Sequence, residues 1–121
     1  MKQTRTTNYL TTLTDAKAAP IPDGLRSAQM MGYGSMKLRY YAPQGMDDQI
    51  PHDQDELYIV VSGQGVFAIG ETEASLERQP FRTSDVLFAP SGLVHRFEKF
   101  SDDFATWVVF WGPKGGESNM D

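Results

Sequence analysis

Residues 50–65 read IPHDQDELYIVVSGQG, and the strand inside them decides the architecture. Leu57, Ile59 and Val61 alternate with Tyr58 and Val60, so both faces of that strand are apolar. An antiparallel strand with one face in water would carry polar side chains there. The stretch FATWVVFWG, residues 104–112, has the same character: Phe104, Val108 and Phe110 alternate with Ala105, Trp107, Val109 and Trp111. One face of each strand is therefore expected to line a barrel interior. The other needs a cover, either the N-terminal arm or a second copy of the chain, and a homodimer is the expected assembly.

Outward from these two stretches, short β-like runs alternate with turn residues. They are RSAQMM (26–31), SMKLRYYA (35–42), ELYIVVSG (56–63), GVFAIG (65–70), ASLERQ (74–79), DVLFAP (85–90), VHRFEKF (94–100) and FATWVVFWG. Short strands at close spacing, with Gly, Pro, Asn and Asp between them, predict an all-β sandwich or barrel. No stretch keeps a helical apolar period for three turns. Residues 1–24 read as an irregular arm with a turn at IPDGL, residues 25–112 as the barrel, and residues 113–121 as a flexible tail.

Composition narrows the function classes. At 121 residues with 40% hydrophobic side chains, seven Phe, five Tyr and two Trp, the chain suits one globular domain. Its net charge of −5 disfavours nucleic acid and anionic membrane surfaces as partners. There is no cysteine, which removes disulfides, thiolate ligands and a Cys nucleophile. The N-terminal residues are too polar for a signal-peptide core, so a cytoplasmic location is expected. GQGVFA, residues 63–68, matches a dinucleotide fingerprint only superficially, since β residues follow it and no helix does. It reads as a hairpin turn. No Gly-x-Ser-x-Gly is present to suggest an acyl-transfer nucleophile.

The chain has two histidines, His52 and His95, each near a turn, a proline and a β run. Three residues separate His52 from Glu56 and six separate Glu56 from Gly63. His95 closes the run PSGLVH, residues 90–95. Two barrel strands side by side can aim both imidazoles at one interior point. Two imidazoles and a carboxylate form the facial triad that holds a divalent first-row metal with positions left open. Glu56 borders the apolar run 57–61, where an unpaired charge would be costly without a cation. Asp47, Asp48, Asp53 and Asp55 read as solvated loop acids whose field favours cation entry.

At this point the sequence resembles a family. PHDQDELYIVVSG is similar to the first motif of the cupins, a His-x-His pair followed by Glu and then Gly, and PSGLVH is similar to their second motif, Pro-x-Gly-x-x-His. The resemblance spans roughly residues 35–112 and implies a double-stranded β-helix, or jelly-roll, barrel of the cupin type. It implies His52, Glu56 and His95 as metal ligands, with Fe, Mn, Ni, Co or Zn as the divalent transition metal. Three positions depart from the pattern: Ile50 stands where the first histidine belongs, Ser84 replaces a glycine, and Lys99 replaces an asparagine. Gln49 is the candidate fourth ligand through its amide oxygen, with a kink at Pro51 bringing it toward the site.

Pocket-shaping side chains are expected from Tyr58, Phe97, Phe88 and one face of residues 35–42, either Met36, Leu38 and Tyr40 or Lys37, Arg39 and Tyr41. An inward Arg39 would favour a carboxylate-bearing substrate. Tyr58 shares a strand face with Glu56 and is the candidate catalytic proton donor. The resemblance implies a small-molecule substrate and dioxygenase or isomerase chemistry. The alternatives are a non-catalytic module binding a metal or small ligand, and a purely structural barrel.

Overall fold

The computed structural model describes residues 9–47, 49 and 51–118. Each of the eight β runs forms a strand: β1 (Ala28–Tyr33), β2 (Met36–Tyr41), β3 (Asp55–Ser62), β4 (Gln64–Gly70), β5 (Glu77–Arg82), β6 (Val86–Ala89), β7 (Val94–Glu98) and β8 (Ala105–Trp111). They make a five-stranded sheet in the order β1-β2-β8-β3-β6 and a three-stranded sheet in the order β5-β4-β7, all neighbours antiparallel. This is a jelly roll, with β3 and β8 central in the larger sheet, which is why neither of them has a polar face.

Between the sheets Tyr58, Val60, Phe67, Phe81, Phe97, Phe104 and Val108 form the core. Phe97 sits at its centre, with ring centroids 4.7 Å from Phe104, 4.9 Å from Tyr58 and 5.4 Å from Phe67. Register fixes which face of β2 joins them. Lys37 pairs with Phe110 and Arg39 with Val108, while Phe110 and Val108 pair in turn with Glu56 and Tyr58. Directly opposed residues share a face. Lys37, Arg39 and Tyr41 therefore point inward, and Leu38 and Tyr40 point out.

Three local expectations are corrected. The arm is not wholly irregular: α1 (Leu13–Ala18) is capped by Thr12, whose hydroxyl accepts from the Asp15 amide at 3.0 Å. With Leu13 and Ala16 it covers Tyr40, Ala105, Trp107, Val61 and Met30 on the outer face of the large sheet. The arm thus supplies part of the cover that β3 and β8 require. Gly63 does not turn a hairpin, because β3 and β4 belong to different sheets. It is a corner at φ 87°, and a Cβ there would lie 2.6 Å from the Cα of Phe104. Finally, Ala74 and Ser75 belong to a 3-10 turn (Glu73–Ser75), and β5 starts after it. Pro80 fits within β5 because that strand is an edge.

The C-terminal stretch, expected to fray from residue 113, is tied down as far as Glu117. The Gly115 amide donates to the Asp53 carbonyl at 2.6 Å, and the Glu117 amide donates to the Asp55 carboxylate at 2.8 Å. Among the described residues no helix is long and apolar enough to cross a membrane.

Candidate metal centre

The two histidine-bearing loops are clamped to one another by their backbones. The His52 carbonyl accepts from the Gly92 amide at 3.0 Å and from the Ser91 hydroxyl at 3.2 Å. Asp55 reinforces the clamp by accepting from the Ser91 amide at 2.9 Å. Gly92, at φ 85°, turns the second loop so that His95 enters β7 pointing inward. Glu56 takes the first inward position of β3. The result is that His52, Glu56 and His95 place one ligand atom each within 4.8 Å of the others.

The spacings suit one ion. His52 Nδ1 lies 2.7 Å from Glu56 Oε2, and His95 Nε2 lies 3.2 Å from the same oxygen. Neighbouring ligands bound at about 2.1 Å from a metal stand roughly 3 Å apart. Glu56 and His95 are 1% and 2% exposed, so the carboxylate has lost its water. That desolvation pushes its pKa up, but the hydrogen bond with His52 and the close His95 imidazole overcome it and hold the carboxyl at about 2. For His95, burial works to lower the pKa and the Glu56 carboxylate more than reverses it.

One atom carries the fit to a cation. His95 Nδ1 lies 3.0 Å from the Leu93 carbonyl, an arrangement that directs its N–H there and leaves Nε2 as a lone pair. Nε2 is buried with no hydrogen-bond partner among the described residues, and it faces a carboxylate oxygen. Two lone pairs so placed need a proton or a metal ion between them.

Gln49 stands beside the triad. Its amide nitrogen donates to Asp47 at 2.7 Å, which turns its oxygen toward the Tyr58 hydroxyl at 3.1 Å. Tyr58 also donates to Glu56 Oε1 at 2.7 Å. Burial, then the charge of Glu56, raises the Tyr58 pKa well above its ordinary value and keeps the phenol protonated. Ile50, at the position of the missing histidine, lies outside the described residues, as does Asp48.

Two of the four loop acids are corrected. Asp47 is 7% exposed and accepts from the Tyr41 hydroxyl at 2.5 Å, the Gln49 side chain and the Phe97 amide at 2.7 Å. It satisfies an edge amide of β7 while orienting Gln49. Asp55, 6% exposed, is the clamp described above. Asp53 is exposed as expected. Phe88 is also corrected: it pairs with Leu57 on the outer face, is 50% exposed, and stacks on Trp111. Phe97 lies in the core beneath the site.

A cavity of about 290 Å³ opens onto the triad, lined in part by His52, Glu56, Tyr58, Gln49, Lys37 and Arg39. Arg26 and Ser27, just ahead of β1, also line it. The roles of Asp47 and Arg26 went unrecognised in the sequence, and Lys37 was one of two alternatives for the inward face of residues 35–42. Only the alternation along residues 35–42 signalled Lys37, and nothing local signals Asp47.

The family model for the cupin domain matches residues 38–111. An uncharacterized protein of Streptomyces coelicolor is 37% identical over 68 residues, covering 56% of this chain and 60% of that protein, so the match spans less than two thirds of the relative's length. Among solved structures, a Bacillus halodurans protein superposes with a TM-score of 0.72 at 12% identity over 93% of this chain and 88% of its own. A Cupin 2 conserved barrel domain protein from Salinispora arenicola gives 0.63 at 19% identity, over 88% and 91%. Those identities speak to fold alone. The family match, however, spans more than half of the sequence and contains His52, Glu56 and His95 together, and the chain belongs to the cupin family.

Proposed function

We propose that this cupin holds a divalent transition metal through His52, Glu56 and His95, and acts on a small organic molecule bound in the cavity above them. The observation that carries the reading is the buried, unpartnered Nε2 of His95 facing the ionised Glu56. Fe, Mn, Ni, Co and Zn all suit two imidazoles and a carboxylate. Gln49 is the candidate fourth ligand through its amide oxygen, which accepts from the Tyr58 hydroxyl beside Glu56. When bound, the metal supplies Lewis acidity or a site for dioxygen, so dioxygenase or isomerase chemistry is the enzymatic form of the proposal. Tyr58, held protonated at Glu56, is the residue able to donate a proton or orient the ligand. The site is proposed to work in a cytoplasmic protein, where a chain without cysteine needs no oxidising compartment.

A second reading, a binding module without turnover, is supported by one feature. Among the described residues the only carboxyl or imidazole lining the cavity beyond the triad is the exposed Asp53, so no buried general base stands there. Elemental analysis of untagged protein beside His52→Ala and His95→Ala tests the shared premise. Near-stoichiometric metal in the parent, lost in both variants, is expected. No metal, and no uptake on reconstitution, would remove both readings. Oxygen uptake or substrate loss by the iron-loaded protein then separates enzyme from binder.

A further inference from the structure

The cavity has a second chemical feature, opposite the triad. Lys37 and Arg39 both point inward from β2, two strands away from Glu56 and Tyr58 in the same rows. At strand spacings of about 4.8 Å, the Lys37 and Glu56 backbones lie roughly 10 Å apart. Neither cation has a carboxylate partner among the described residues. Lys37 makes no hydrogen bond or ion pair there, and Arg39 has only neutral acceptors: Ser27 Oγ at 2.6 Å, the Ser27 carbonyl at 2.6 Å and Gln29 Oε1 at 3.2 Å. The contrast with the surface is direct. Arg78 and Arg96, on the other sheet, are both ion-paired, with Glu98 and with Glu73 and Glu98 respectively.

Two uncompensated cations facing one small cavity are unexpected in a chain of net charge −5. Burial already works against the Arg39 charge, lowering its pKa. Ser27 and Gln29 orient the guanidinium, and of its five N–H groups one on each terminal nitrogen is left over. Two free donors on one guanidinium can meet the two oxygens of a carboxylate. A phosphate would present a third oxygen beyond those two donors. Of the acids, Asp53 lies at the exposed rim and Glu56 belongs to the triad.

We propose that Lys37 and Arg39 form an anion subsite, and that the ligand is a short carboxylate with a second oxygen donor directed at the His52–Glu56–His95 triad. The second anchor rests on the metal reading above; the first does not. The orientation follows from the placement: the carboxylate lies against β2, and the far end of the ligand meets the triad and Tyr58.

Calorimetric titration with succinate, with its neutral diamide succinamide and with inorganic phosphate tests this in metal-stripped and Mn(II)-loaded protein. Succinate is expected to bind both forms, more tightly with the metal, and succinamide about tenfold more weakly or worse. Lys37→Gln should weaken succinate about tenfold while leaving Mn(II) uptake unchanged. This variant keeps the Arg39–Ser27 contacts, so its fold does not depend on the residue tested. Equal binding of succinamide, preference for phosphate, or succinate binding indifferent to Lys37→Gln would each overturn the subsite. Failure to take up Mn(II) while succinate binding still depends on Lys37 would remove the metal reading and leave the anion subsite standing.

Discussion

Ser84 and Lys99 adopt φ values of 76° and 50°, a left-handed backbone that costs a side chain bearing a Cβ about 1 kcal/mol. They are the two positions where the cupin pattern has glycine and asparagine, residues that enter this region more readily. The departures seen in the sequence are thus departures in backbone ease, and they lie outside the metal chemistry. Ser84→Gly and Lys99→Asn should each stabilise the protein by roughly 0.5–1 kcal/mol, a rise of a few degrees in Tm. Thermal melts of the single variants check this, and unchanged or lower melting temperatures would refute it. At this scale the triad was legible because three ligand types recur at fixed spacing around turn residues. Asp47 was not legible, because its partners Tyr41 and Phe97 come from distant strands and an aspartate in a polar loop looks solvated.

Elements were legible where their length exceeded the period that identifies them. Eight short runs of β-branched and aromatic residues, bounded by turns, gave eight strands. The six-residue α1 is too short to show a helical period, although Thr12 three residues before Asp15, with Pro20 beyond, carried its boundaries. Gly63 misled because a local turn signal does not say which sheet the next strand will join. The three-stranded sheet shows how an exposed face is finished. Arg78 and Arg96 flank Ala68 in register, and their stems cover a residue that is 0% exposed. Their charged ends meet Glu98, whose pKa is lowered first by its hydrogen bond from Arg78. A carboxylate with a lowered folded-state pKa contributes stability above its unfolded value of 4.5, and that contribution is lost as pH falls through the folded value. Glu98→Gln should therefore lower Tm slightly at pH 7, and by less as the pH falls below 4.5 and through the folded-state value. Melts across that range measure it, and an equal deficit throughout would show that packing, not charge, is responsible.

For the whole molecule the open question is what finishes the outer face of the large sheet. The arm and α1 cover it over β2 and β8, but Ile59, Val86 and Phe88 remain 38%, 57% and 50% exposed toward β6. That strand is also a sheet edge, paired only with β3, so apolar side chains and unpaired backbone groups coincide at one place. A second copy turned about a twofold axis offers the same edge and the same side chains, which makes the patch complementary to itself. A particle of about twice the 13.5 kDa chain mass is therefore expected by light scattering at micromolar concentration. Phe88→Asp should shift it to the monomer. Because Phe88 and Val86 face away from Glu56 and Tyr58, the variant should take up metal as the parent does. A monomeric parent would rule the dimer out. A monomeric variant that also lost its metal would show that the edge supports the centre from behind, through the Leu57–Phe88 and Glu56–Ala89 pairs that hold β3 in place.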